Sequence, residues 1–287
     1  MRRIRNRARV LRRTAMLAAI GALALFGAAP EAHALTTVIN QCNMTVVTNA
    51  VLIQDLICPD DGIVVGADGI TIDLKGFTLR GDRGALDSGI SNLTGFDKVT
   101  IKNGVVRNFG VGVHMNNRAD LTTISNVVAS GNVVDGVFVT GDGASIKSTF
   151  GIGSGITGIY VVGDDASIAS AVAADNPTDG IYVDGDSATV KSSTASGNFN
   201  NGISIIGGSA SVKGSTLTGN AVDGLRILGN GAVLKGNTAV GNGFASGNSD
   251  LAGLGINVTD FPQTPPAGLN TGRGNDSPYE CFPDYLC

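Results

Sequence analysis

Segments that open with glycine and an aliphatic residue recur through the middle of this chain at a nearly constant interval. They read GVHM from Gly112, GVFV from Gly136, GIYV from Gly158, GIYV from Gly180, GISI from Gly202 and GLRI from Gly224, spaced by 24, 22, 22, 22 and 22 residues. Earlier relatives begin at Gly69 and Gly89. Two further columns keep the same register: Ala144, Ala166, Ala188, Ala210 and Ala232, and, two positions on, Ile146, Ile168, Val190, Val212 and Leu234. Asn132, Asn176, Asn198 and Asn220 each lie four residues before the next repeat glycine, with Asn108 ahead of them and Ser154 as the one substitution. A fixed period of this length means that each repeat buries its apolar face against the next.

The content of one repeat decides what that unit is. Apolar residues alternate in Ile181-Tyr182-Val183 and Ile203-Ser204-Ile205, the period of a strand with one buried face. Between such runs stand Gly-Asp-Gly, Gly-Asp-Asp, Gly-Asp-Ser and Gly-Gly-Ser, compositions that make tight turns. Short strands and polar turns within 22 residues describe one rung of a parallel β-helix, an all-β solenoid. Stacking then puts identical positions about 4.8 Å apart. Aliphatic residues fill the interior, alanines fit where the wall pinches in, and asparagine side chains satisfy backbone groups at the turns. Composition agrees: Gly is 42 of 287 residues, Trp is absent and aromatic residues are 5%, which suits thin stacked layers better than one thick core. About seven to eight rungs are expected over residues 69–248, with 35–68 and 249–287 as terminal caps that cover the open ends.

The four cysteines lie at 42, 58, 281 and 287, two in each expected cap. The favoured pairing is Cys42 with Cys58 and Cys281 with Cys287, because those pairs are local. No C-x-x-C pair is present to suggest zinc. Residues 1–14 hold seven arginines and no acid, Ala15–Ala29 is nearly all apolar, and Ala32-His33-Ala34 has the small residues of a cleavage site. Residues 1–34 therefore read as a secretory signal peptide. The apolar run is shorter than the roughly 20 residues that a spanning helix needs. Export would explain the disulfides and place the protein as secreted, periplasmic or at the cell surface. The chain carries Lys+Arg 20 against Asp+Glu 24. Removing the leader takes seven arginines and one glutamate, for a net charge of about -10 (13 basic, 23 acidic). That balance excludes nucleic acid as an expected partner.

Cys58-Pro59 followed by GIVVGADGITIDLKGFTLRG, then VTIKNGVV at 99–106, then rungs of the form G-[IV]-x-[VI] closed by Asn, resembles the right-handed parallel β-helix proteins of the pectate-lyase-like superfamily. Within it the chain is similar to the NosD-type, carbohydrate-binding and sugar hydrolase group. The resemblance covers about residues 40–250 and implies a right-handed solenoid. It implies less about activity, since the superfamily includes lyases, hydrolases, epimerases and binding proteins. The chain departs from the polygalacturonase-like motifs: Asp164-Asp165 and Arg226-Ile227-Leu228 are present, but His114 precedes both. The arginine pattern of the pectate-lyase-like enzymes is missing. NosD-type proteins are associated with copper, yet His114 and Met115 are adjacent in one strand and point to opposite faces.

Three outward columns are candidates for function. The first is His114, Phe138, Tyr160, Tyr182, Ser204 and Arg226; its four ring-bearing members form a candidate carbohydrate-binding line. The second is Asp142, Asp164, Asp186, Gly208 and Asn230, with Asp165 and Asp184 nearby. Of these Asp164, Asp165, Asp184 and Asp186, with Arg226, are the candidate catalytic groups, and carboxylates at rung spacing are a candidate calcium site. The third is Lys147, Lys191, Lys213 and Lys235, with Ala169 in the gap. It suits either an anionic polymer or protection against lateral sheet pairing. The reading that follows is an exported solenoid that binds a carbohydrate or cell-envelope component without catalysis. Two alternatives stay open: a polysaccharide lyase or glycoside hydrolase built on the aspartates, and a purely structural envelope solenoid.

Overall fold

The computed structural model describes residues 36–243, 255–259, 270–275 and 281–282. The chain divides into two units, Met1–His33 and Ala34–Cys287. The first, with the expected signal peptide, lies outside the described residues. Among the described residues no helix is long and apolar enough to cross a membrane.

The second unit is a parallel β-helix. Among the described residues its strands fall into two sheets, one of 18 strands and one of 11, and every pairing within each sheet is parallel. A regular turn contributes three short strands, such as Val137–Thr140, Ser145–Lys147 and Phe150–Ile152. The first joins the 11-stranded sheet and the other two join the larger one. The aliphatic column pairs in register from Ile101 and Ile124 through Ile146, Ile168, Val190 and Val212 to Leu234. Each of these residues is at most 1% exposed, and the alanine column beside them is buried as well. One continuous core of Ile, Val, Leu and Ala therefore runs the length of the solenoid.

Stacking extends beyond the segment read from the repeat. Residues 35–68, expected to cap the array, already supply strands: Thr37–Ile39 pairs with Ala50–Leu52, and Met44–Val46 pairs with Ile63–Val65. The 11-stranded sheet runs from Met44–Val46 to Cys281–Phe282, so it holds more rungs than the seven or eight expected. At the other end Ile256–Thr259, Thr271–Arg273 and Cys281–Phe282 continue the two sheets within the expected 249–287 cap. The early rungs were hidden by their uneven length. The glycine that aligns with Gly89 is Gly62, since Ile63 pairs with Ile90. Gly69, taken as an early repeat glycine, sits instead in a turn at φ 67.

The repeat glycine is required by proximity. A Cβ on Gly180 would lie 2.6 Å from Asn198 Nδ2 and 2.7 Å from the Gly202 carbonyl oxygen. The asparagine ladder occupies that space. Asn176, Asn198, Asn220 and Asn242 each donate Nδ2 at 2.9 Å to the Oδ1 of the next rung, ending on Asn275. The same amides reach back to the carbonyls of Gly151, Ala173, Ala195 and Leu217. Asn108 stands one place outside this column; Phe109, fully buried, takes the position and its N–H donates to Asn132 Oδ1 at 3.0 Å.

Cys42 and Cys58 form a disulfide across the first turns. Cys281 is buried and disulfide-bonded; Cys287, its expected partner, lies outside the described residues.

Candidate binding face

Because side chains alternate along a strand, every second residue of the 11-stranded sheet faces outward. In register these are Ser91, His114, Phe138, Tyr160, Tyr182, Ser204, Arg226 and Asn257. The four rings are half-buried and meet edge to face. Centroid distances are 5.3 Å for His114–Phe138, 5.2 Å for Phe138–Tyr160 and 4.8 Å for Tyr160–Tyr182, with interplanar angles of 82°, 88° and 83°. This is the geometry that the ring quadrupoles favour, and each such pair stabilises the rungs by roughly 0.5–1.5 kcal/mol. The column ends at Ser204, which is buried between Tyr182 and Arg226.

At the end of each outward strand sits a second column that the sequence reading did not single out. It is the residue before each repeat glycine: Asp61, Ser88, Val111, Asp135, Thr157, Asp179, Asn201 and Asp223. Three of its acidic side chains, Asp61, Asp135 and Asp179, hold the rungs together by accepting the N–H one rung on. Asp61 Oδ1 accepts from Ser88 at 2.6 Å, Asp135 Oδ1 from Thr157 at 3.0 Å and Asp179 Oδ1 from Asn201 at 2.8 Å. Asp135 and Asp179 are 5% and 7% exposed. Burial pushes the Asp135 carboxyl up to about 6, against the hydrogen bonds from Thr157. Asp179 is also raised by burial, opposed by Asn201 and by the Arg226 charge. A signal for this column was present: Asp, Thr, Asp, Asn and Asp precede five consecutive repeat glycines.

These carboxylates act on the rings. Burial raises the Tyr160 phenol, and Asp184 and Asp135 raise it further. Tyr182 is raised by burial and by Asp184, Tyr160 and Asp179, with Arg226 acting the other way. Burial lowers the His114 imidazole, opposed by Asp61, while Ser88 Oγ lies 3.2 Å from His114 Nδ1. The face is therefore a line of half-buried rings beside acidic groups, of which Asp184 is exposed while Asp135 and Asp179 are buried and hold the next rung.

The candidate catalytic residues are not all brought to it. Asp184 is exposed at the end of Ile181–Asp184, beside Tyr160 and Tyr182, and Arg226 lies on the same sheet one rung past Ser204. Asp164 and Asp186 belong to the turn after the strand, where their side chains are engaged. The N–H of Asp164 donates to Asp142 Oδ1, that of Asp186 to Asp164 Oδ1 and that of Gly208 to Asp186 Oδ1 at 2.7–2.8 Å. The line begins earlier, through Asp68, Asp97 and Asp120. Asp165 holds φ 57 in the position that Gly143, Ser187, Ser209 and Gly231 fill in other rungs, so its place in the turn is conformational. Among the described residues no three of His, Cys, Asp or Glu converge as metal ligands. Lys147, Ala169, Lys191, Lys213 and Lys235 stack in register on the larger sheet, away from the rings, with all four lysines exposed.

A family model described as right handed beta helix region matches residues 88–245, more than half of the chain. The chain belongs to the right-handed β-helix family. The chain is also similar to solved structures. The A-module of mannuronan C-5 epimerase AlgE4 from Azotobacter vinelandii aligns with TM-score 0.53 and 16% identity, over 86% of this chain and 71% of that one. The enzymatically active domain of tailspike protein 2 from bacteriophage CBA120 aligns with TM-score 0.46 and 14% identity, over 83% and 38%. Pectate lyase Pel9A aligns with TM-score 0.41 and 20% identity, over 73% and 56%. At these identities the likeness is one of fold. No curated protein gives a significant match.

Proposed function

We propose that this right-handed β-helix protein is exported and holds a polysaccharide, without cleaving it, along the face from His114 to Tyr182. The observation that carries the reading is the run of four ring-bearing side chains in consecutive rungs, half-buried and in contact, on one outward face. Such a line offers apolar surface at a regular interval, with hydrogen-bonding groups at its margins, which is what a polymer of sugar rings requires. The Cys42–Cys58 disulfide supports an oxidising compartment. The turn aspartates support catalysis less well, because Asp164 and Asp186 are engaged in holding the next rung.

The test is retention of the protein on immobilised polysaccharides, with the supernatant assayed for new reducing or unsaturated ends. Retention without new ends is expected, with at least a tenfold loss in a Tyr160→Ala, Tyr182→Ala variant that keeps its β-sheet circular dichroism. Undiminished retention in that variant would remove the ring face from consideration. New ends that vanish in Asp184→Asn would make the protein an enzyme instead.

A further inference from the structure

Building on the ring face as the glycan site, we propose that its ligand is a polymer carrying protonated amino sugars, held by the rings and the exposed Asp184 carboxylate, with the buried Asp135 and Asp179 adding charge from beneath. The argument is one of charge complementarity along the ladder. Asp135 and Asp179 lie in the column at the glycine end of the outward strands, and Asp184 stands at the other end of the Tyr182 strand. Tyr160 and Tyr182 thus have carboxylates to both sides, and each phenol feels Asp184 together with Asp135 or Asp179. Asp61 extends the negative field to His114. Arg226, past Ser204 in the same column, opposes this field with its charge at Asp179 and Tyr182.

Each class of polysaccharide would meet this field differently. A polyuronate would bring its own carboxylates against three of like sign. A neutral polymer would cover the exposed Asp184 carboxylate without supplying a countercharge. An ammonium group gains from both features, because ring faces attract cations through their quadrupole and the exposed Asp184 carboxylate accepts its N–H groups, while Asp135 and Asp179, buried and holding the next rung, contribute only charge. Polyanions have a different place on the molecule: the exposed Lys147, Lys191, Lys213 and Lys235 stack on the other sheet.

The experiment measures binding of three soluble oligomers to the full chain at pH 6.5 and low salt: glucosamine oligomers, their N-acetylated counterparts and oligogalacturonate. The glucosamine oligomers are expected to bind at least tenfold more tightly than the other two. Asp184→Asn, a change at an exposed position, is expected to reduce their affinity severalfold and to flatten its salt dependence, leaving the N-acetylated series unaffected. Equal or tighter binding of the N-acetylated oligomers, lost in Tyr160→Ala, would overturn the amino-sugar assignment while keeping the ring face. So would oligogalacturonate binding lost in that variant. Binding of any oligomer that survives Tyr160→Ala and Tyr182→Leu alike, or oligogalacturonate binding lost only in Lys191→Ala, Lys213→Ala, would overturn the ring-face reading itself.

Discussion

Asn132 Nδ2 and Ser154 Oγ, equivalent positions in successive rungs, are both buried without a hydrogen-bond partner. In the rungs that follow, Asn176, Asn198, Asn220 and Asn242 give each amide nitrogen an Oδ1 acceptor in the next rung. Serine is too short to take that part, so the ladder is interrupted once, and each orphaned polar group costs about 1–3 kcal/mol.

Ser154→Asn should close the gap. The new side chain would offer Oδ1 to Asn132 Nδ2 and its own amide to Asn176 Oδ1, which already accepts the N–H of residue 154 at 2.9 Å. We expect about 1–2 kcal/mol of added stability, read as a higher urea midpoint at unchanged m-value. A midpoint that falls would mean that Gly136, whose Cβ direction points at Ser154 Oγ 3.0 Å away, leaves too little room.

The repeat glycine makes the opposite prediction. In Gly180→Ala the methyl group would meet Asn198 Nδ2 and the Gly202 carbonyl, both under 3 Å away. One of these is backbone, so relief requires the rungs to separate or the amide ladder to break. A loss of about 2–4 kcal/mol is expected. Gly153→Ala has open space around its Cβ direction and strains only through its φ of 58. It should cost about 1 kcal/mol, so a denaturation series that ranks the two the other way would contradict the packing argument.

What could be read from the sequence was whatever repeats in both position and chemistry. The alanine, aliphatic and asparagine columns keep one residue type at 22-residue spacing, and the stacking follows from them. The ring line was legible because four consecutive outward positions carry rings. Gly89, 23 residues before Gly112, was legible as well, but Gly62 was not: it lies 27 residues before Gly89, because extra loop residues carry it out of register. The Asp135–Asp179 column escaped for a different reason. At Asp135, Asp179 and Asn201 a side-chain oxygen accepts the next N–H, which aspartate and asparagine supply alike, while Thr157 pairs its hydroxyl with Thr178 and Val111 has no such oxygen, so no single residue type repeats.

The disulfide acts where the stacking starts. Cys42 and Cys58 are 16 residues apart, and Cys58 is fully buried. A loop of this length gives about 3 kcal/mol of stabilisation through the unfolded chain. Cys42→Ser, Cys58→Ser should therefore lower stability by about that amount, with hydrogen exchange rising first in Thr37–Ile39 and Met44–Val46. Uniform loss of protection along the solenoid would show instead that the first turns fold only together with the rest.

The raised Asp135 carboxyl ties stability to pH. Its value of about 6, against 3.8 for an ordinary aspartate, means that the folded state holds a proton which the unfolded chain has released between those two limits. Stability contributed at this site is thus present below about pH 4, falls as pH rises, and is lost above about pH 6. At about 1.4 kcal/mol per pKa unit the cost of ionisation is about 3 kcal/mol at most. Asp135→Asn keeps an oxygen for the Thr157 N–H and carries no charge at any pH. The variant should match the parent protein at pH 4 and exceed its stability by about 1–3 kcal/mol at pH 8, in paired denaturation curves. An equal difference at both pH values would mean that the substitution acts through packing or hydrogen bonding and that Asp135 ionises at its ordinary value.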